Sequence, residues 1–433
     1  MNAHKGMRMT VSPNTEEEVA AGEEKFHDPY AALRFQPFIL LVVGRLVASM
    51  GEQMASVAIG WELYERTHLA LALGGVGLVQ VVPVILLSLP AGHAADRFDR
   101  KRIVLASQLL LALGAMGLAA LSFTRGSLVL IYGCLFLIGI ARAFSGPAGA
   151  TLLPQTVPPE LFTNAATWSS SAWQAASVAG PALGGLMIAV QHRAGWVYVV
   201  DAVGALIFFG FVCLLHIRRL AQPVEAATLK SLAAGAHFLW NTKVILAAIT
   251  LDLFAVLLGG ATTLLPIFAT DILHVGPSGL GWLRAAPSVG AVLVAVLLAH
   301  LPPLRRAGAT LLWAVASFGM ATIIFGLSRS FILSLLMLVV LGGVDNISVV
   351  IRSTLLLVGT PDEMRGRVSA VNSVFISASN ELGGFESGLV ASVFGPIASV
   401  VGGGIGTLLV VSAVALIWPQ IRQLKRLNSL ETQ

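Results

Sequence analysis

Cysteine is nearly missing from this 433-residue chain. Cys134 and Cys213 both stand inside apolar runs, so no disulfide framework and no CxxC metal pattern can be built. Charge is scarce too. Asp, Glu, Lys and Arg make up 11% of the residues, where a soluble domain carries about 25%. Such a chain cannot dress a water-facing surface, so lipid must be its solvent over most of its area. Disorder, coiled coil and collagen are excluded at the same step. There is no G-x-x-x-x-G-K-[ST] phosphate loop, which argues against ATP-driven work. No Ser/His/Asp grouping and no metal constellation stands out, and the longest polar connection is too short for a catalytic domain. The reading is therefore no enzyme, no metal and no resident cofactor. The net charge of +5 is spread over short loops, so no nucleic-acid partner is expected. Residues 1–35 lack the apolar core of a signal peptide. They are rich in Glu (Glu16, Glu17, Glu18, Glu23, Glu24) and read as a solvated tail.

What is present is hydrophobe, at 56% of residues and a mean hydropathy of +0.84. A membrane-spanning helix needs about 20 mostly apolar residues. Twelve such runs follow one another, at 36–64, 70–93, 103–123, 127–150, 161–190, 195–217, 242–270, 277–300, 308–327, 331–357, 366–394 and 397–419. Pro83, Pro181, Pro266 and Pro287 fall inside spans, where neighbouring helices can satisfy the freed carbonyls. The fold class is an all-α polytopic membrane protein. Its expected parts are a tail over 1–35, a six-helix bundle over 36–217, a linker over 218–241, a second bundle over 242–419 and a tail over 420–433.

Lys and Arg gather on one side. The ends and even-numbered connections hold Arg97, Arg100, Lys101, Arg102, Lys243, Arg365 and Arg367 among others, whereas the opposite side holds only Arg66, Arg125, Arg193 and Arg329. The basic side is read as cytoplasmic, with both termini inside. The two halves also repeat. The stretch from Thr156 to Leu161 matches that from Gly359 to Met364, and Gly77 to Pro83 matches Gly281 to Pro287. Two pseudo-symmetric six-helix bundles around a central site are a transporter architecture.

Three motifs stand in order along the first half. The connection after span two runs Gly92, His93, Ala94, Ala95, Asp96, Arg97, Phe98, Asp99, Arg100, Lys101, Arg102. It resembles the loop signature of the major facilitator superfamily, with Asp99 in place of a glycine. Span four ends on Arg142 through Ala150 and resembles the superfamily's arginine-glutamine signature, with Ser145 where glutamine is usual. In that superfamily the arginine is linked to proton coupling. Span five carries Gly180, Pro181, Gly184 and Gly185, which look like the element that marks its antiporters. The stretches Leu153 to Ala165 and Thr360 to Ser373 resemble its enterobactin-exporter-like branch, which holds siderophore exporters and drug efflux proteins. The resemblance spans about residues 36–420. It implies the fold and the branch and leaves the substrate open.

By that resemblance, spans one, four, seven and ten line the cavity. Each carries charge: Arg45 and Glu52, Arg142, Asp252, and Asp345 and Arg352. Ionisable groups inside a membrane face the bundle interior and pair there. These six are the candidates for proton coupling or the substrate cavity. Glu52 leads, two helical turns from Arg45 on one face. Asp345 is a candidate partner for Arg142 or Arg352. Span eight adds Arg284. Glu381 and Glu386 are candidates for coupling or for the intracellular gate. The gate itself is assigned to Gly92, Asp96, Arg97, Arg100, Lys101, Arg365 and Arg367. Asp201 is read as a packing group, and Trp168, Trp173, Phe254 and Phe268 as possible cavity lining.

The expected function is secondary active export of a small amphiphilic organic compound, a drug or a siderophore. It would run by proton antiport and alternating access in the cytoplasmic (inner) membrane of a bacterium. The partners are lipid bilayer, substrate and protons, with the proton gradient as energy source and the monomer as the working unit. A lipid or lysophospholipid mover, little dependent on a gradient, is the alternative. A non-transporting receptor or scaffold is a third reading, in which neutralising Glu52 and Arg142 changes only stability.

Overall fold

The computed structural model describes residues 28–150, 152–215, 229–302 and 306–423. Twelve long helices follow in order. The first six are α1 (Gln36–Thr67), α2 (Ala70–Arg97), α3 (Arg100–Phe123), α4 (Leu128–Ala150), α5 (Phe162–Gln191) and α6 (Gly195–Leu214). The second six are α7 (Lys243–Ile272), α8 (Gly276–His300), α9 (Ala307–Leu327), α10 (Phe331–Val358), α11 (Asp362–Phe394) and α12 (Pro396–Ile417). Eleven of them are long and apolar enough to cross a membrane. The exception is α11, which is 33 residues long but diluted by Arg365, Arg367, Asn372, Asn380, Glu381 and Glu386. A helix that polar needs a face turned to water or to other helices.

The pairing of helices repeats after six. In the first half α1 packs on α5 and α6, α2 on α4, and α3 on α4 and α6. In the second, α7 packs on α11 and α12, α8 on α10, and α9 on α10 and α12. Across the halves α2 meets α11 and α5 meets α8, which are again equivalent pairs. Each half keeps an apolar core, with Leu63, Leu118, Leu135 and Tyr198 in one and Leu251, Leu311, Ile351 and Leu355 in the other.

The bundle of long helices has two ends. We call proximal the end where α1 begins and α12 finishes, and distal the opposite one. The halves approach most closely at the distal end. Gly74 of α2 lies against Gly388 of α11, where an added Cβ would sit 3.2 Å from its Cα. Gly185 of α5 lies against Gly281 of α8, with a virtual Cβ 2.8 Å from its Cα. Only glycine permits such backbone approach. Toward the proximal end, Leu86, Trp173 and Phe375 of α2, α5 and α11 are exposed.

Helix α7 is interrupted. Regular helix ends at Leu258, a 3-10 turn spans Ala261–Leu264, and a π-type turn spans Phe268–Ile272. Pro266 lacks the N–H that would continue the ladder. The freed carbonyl of Thr262 accepts a hydrogen bond from Arg284 Nη1 at 2.9 Å.

Two connections differ from expectation. Residues 28–35 fall within the expected solvated tail, yet Ala31–Arg34 forms a 3-10 turn docked on α5. Asn164 accepts from Ala32 N at 3.1 Å and donates to Pro29 O at 2.8 Å, and Trp168 Nε1 donates to the same carbonyl at 3.0 Å. The linker contains a helix, Leu229–Asn241, lying on α11, where Gly235 faces the backbone of Arg367.

Candidate functional site

A cavity of about 280 Å³ lies between α1, α2, α4 and α6, capped by the distal parts of α7, α8 and α11. Its lining is charged. Glu52 of α1 faces Arg142 of α4 at 3.8 Å. Arg142 Nη1 also donates to Gln80 Oε1 of α2 at 2.7 Å. One guanidinium thus joins three helices, a task suited to its forked donors. Gln53, one residue along α1, donates to Ser177 Oγ of α5 at 3.0 Å. Glu52 and Arg142 are each more than a third exposed, so the cavity is wet.

The remaining charges come from both halves. Asp201 of α6 lies against the backbone of Gly51 and lines the cavity. It is therefore more than the packing group expected of it. Arg284 and Glu381 cross over from the second half. Glu381 lies against Gly77 of α2, whose virtual Cβ is 2.7 Å from Glu381 Oε2. That places it in the central cavity rather than at an intracellular gate. Glu386 is half-buried further along α11, beside Ser387 Oγ at 3.4 Å.

Arg45, a candidate for the cavity, does not line it. Arg45 is exposed, and Glu52 turns to Arg142. Seven residues put Arg45 about 10.5 Å away along the axis, while Arg142 arrives from the facing helix.

A second cavity of about 410 Å³ belongs to the other half. Asp252 of α7 and Arg352 of α10 form an ion pair there at 2.5 Å, with both side chains under a tenth exposed. Asp345 lines the same cavity. The hydrogen-bonded partner of Arg352 is Asp252, with Asp345 lining the same cavity, and the ion-pair partner of Arg142 is Glu52 rather than Asp345. Two pairs, Glu52–Arg142 and Asp252–Arg352, thus occupy the two halves.

The gate residues sit at the proximal end, and the following bonds run within one half. Lys101 Nζ donates to Cys213 O at 2.9 Å and Leu215 O at 2.8 Å, capping the end of α6. Asp99 caps α3 by accepting from Lys101 N at 3.0 Å. Arg365 Nε donates to Leu357 O at 3.2 Å, and Arg367 approaches Met364 Sδ at 3.8 Å. Gly92 is half-buried, Arg97 is exposed, and Arg100 opens α3. The Asp96 side chain lies outside the described residues.

The distal end carries a bond across the halves that the sequence did not disclose. Tyr64 of α1 donates to Asp271 of α7. Both residues are near span ends, where polar side chains read as ordinary interfacial groups. Replacing Tyr64 by Phe removes only the hydroxyl. A cysteine at Gln53 should then react several-fold faster with an impermeant maleimide added distally, in a chain without Cys134 and Cys213. Unchanged labelling would show that the bond does not hold the distal end shut.

Gly180, Pro181, Gly184 and Gly185 are all buried on α5. Gly180 and Gly184 take Gln53 and Met54 of α1 against their backbone, and Gly185 takes Gly281. Gly185→Leu should abolish the tight α5–α8 contact and stop transport. Gly146→Leu, where a Cβ meets nothing within 4 Å, should be tolerated. Equal transport by the two variants contradicts the seal. The aromatic assignments fare differently. Phe268 is fully buried and stacked on Phe325, and Trp168 holds Pro29, so neither lines the cavity.

Two symmetric bundles, a broken helix at mid-chain and a charged cavity inside an apolar shell define a membrane transporter. The particular family follows from sequence. Its profile, that of the transmembrane secretion effectors, matches residues 27–432, and the chain belongs to that family of the major facilitator superfamily. The multidrug efflux pump Tap of Mycolicibacterium fortuitum is 27% identical over 402 residues, covering 90% of this chain and 97% of that one. The enterobactin exporter EntS of Escherichia coli O81 (strain ED1a) is 25% identical over 409 residues, covering 93% and 94%. Among solved structures, a bacterial homologue of the human lysosomal transporter Spinster, inward-facing and unoccupied, superposes with a TM-score of 0.71 at 14% identity. That match covers 90% of this chain and 98% of that one. The nucleoside transporter NupG gives 0.70 at 12% identity, covering 88% and 99%. These relatives and neighbours are transporters and not enzymes.

Proposed function

We propose that the chain exports a small amphiphilic organic compound in exchange for protons. The observation that carries this reading is the Glu52–Arg142–Gln80 group in a cavity whose distal side is shut. A carboxyl beside a guanidinium in such a cavity can trade its arginine for a proton as the halves rock. The distal closure at Tyr64–Asp271 and Gly185–Gly281 supports a proximal-open state. The Lys and Arg bias supports a cytoplasmic proximal end, from which the cavity would load. The relatives named as an efflux pump and an exporter support the outward direction. The setting is a bacterial inner membrane, and one chain holds the whole pathway, so the monomer suffices. Efflux of a broad compound panel from a pump-deficient bacterium tests the reading. Lower accumulation than with an empty vector, lost on adding a protonophore, is the expected result. Efflux that survives the protonophore contradicts proton coupling, and loss of all difference contradicts export.

A further inference from the structure

The second half holds a small polar cavity in which the Glu52–Arg142 group has no part. It measures about 10 Å³ and lies between α7, α9 and α10. That is room for one water-sized particle. Asp252 of α7 lines it together with Asp345 and Ser348 of α10, and α9 closes it with Ala314, Val315 and Phe318. Asp345, Ser348 and Arg352 stand three and four residues apart, so they share one face of α10. Asp252 and Asp345 also line the cavity of about 410 Å³, so the small cavity adjoins the larger one.

Charge and hydrogen bonding both leave something missing at this place. Asp252 and Asp345 bring two negative charges, and Arg352 brings one positive charge, bonded through Nη1 to Asp252 Oδ2. Asp345 makes no ion pair among the described residues. The α9 wall is apolar. Arg365, on the rim of the larger cavity, is exposed and donates to Leu357 O. One negative charge therefore stays uncompensated in a buried setting, which is costly. Ser348 is 2% exposed, and its Oγ has no hydrogen-bond partner among the described residues. A proton on Asp345 would cancel the charge but cannot bridge the gap to that hydroxyl. A water would bridge the gap but leave the charge. A small cation does both. Hard cations take oxygen ligands, carboxylates among them. A divalent ion would overshoot the one missing charge, and the strong field of two carboxylates favours a small ion over a large one.

We infer that Asp252, Asp345 and Ser348 form a binding site for a small monovalent cation, sodium in preference to potassium. The larger cavity is its route in. The bound ion ties α7 to α10 beside the Asp252–Arg352 pair. The site lies in the opposite half from Glu52 and stands whether or not Glu52 carries protons.

The test needs no transported compound. The purified full-length protein is titrated with sodium chloride at constant ionic strength, balanced by choline chloride, and thermal unfolding is followed. Sodium should raise the melting temperature by several degrees and then saturate, as a specific ligand of the native state does. Potassium should act only at higher concentration. Radioactive sodium should bind at one ion per chain. Asp345→Asn should abolish the response. Ser348→Ala, which keeps both carboxylates and the arginine, should move its midpoint several-fold upward, so a folding failure of the first variant leaves the second to decide. A melting temperature that ignores sodium, or that rises on acidification alone, means that water or a proton fills the gap and overturns the inference. A sodium response undiminished in both variants overturns it as well.

Discussion

Arg352→Ala is expected to destabilise the protein more than any other change at the charged sites. Arg352 and Asp252 are both buried and bonded only 2.5 Å apart. Removing the guanidinium leaves a buried carboxylate without its counter-charge beside Asp345, at a cost of about 3–5 kcal/mol. The pair itself contributes far less, because burying both charges already cost most of their mutual attraction. Asp252→Asn combined with Arg352→Ala should therefore recover much of the loss. Thermal unfolding in detergent, run as a double-mutant cycle, reads this directly. Equal loss in the single and double variants contradicts it and moves the damage to the cavity left by the arginine. Pairing also links α7 to α10, so the single variant should lose transport along with stability.

Glu52→Gln should have the opposite profile. Glu52 and Arg142 are each more than a third exposed and stand 3.8 Å apart. A solvated pair of that kind contributes little to folding, so expression and melting temperature should hold. Uphill efflux should fall about a hundredfold, the lower end for loss of a positioned proton-transfer group. Glutamine keeps the size and the hydrogen bond but cannot carry a proton. Exchange of substrate across the membrane without a gradient should survive. Normal uphill efflux by Glu52→Gln would remove Glu52 from the mechanism.

The membrane class and the twelve helices were legible because they rest on length and composition. An apolar run of about 20 residues fits little except a membrane span, and helix ends fell within a few residues of the expected spans. The two-fold pairing was legible from the Thr156 and Gly359 stretches. Most of the charges that line the two cavities were legible, since each interrupts an apolar run, though Arg45 proved exposed and Asp201, read as a packing group, lines the cavity. Their partners were not. Arg142 choosing Glu52 and Gln80, and Arg352 choosing Asp252, depend on how helices rotate against one another. Spacing put Arg45 on the same face of α1 as Glu52, and the partner of Glu52 came from a facing helix. Asp345, a candidate partner for Arg142 or Arg352, instead shares a cavity with the Asp252–Arg352 pair. The Tyr64–Asp271 bond joins residues from separate spans. No periodicity announces such a meeting. The break in α7 was foreshadowed by Pro266, but its satisfaction by Arg284 was not.

Above all, the cavity must alternate between the two ends of the bundle. Distances between spin labels across both ends test this without knowledge of the substrate. In a chain lacking Cys134 and Cys213, one pair would be placed at Leu69 and Phe394 distally. The other would be placed at Phe98 and Leu301 proximally, all four exposed. Moving from alkaline to acidic medium should lengthen the distal distance while shortening the proximal one. Distances that stay fixed, or that lengthen together at both ends, would contradict alternating access coupled to protons.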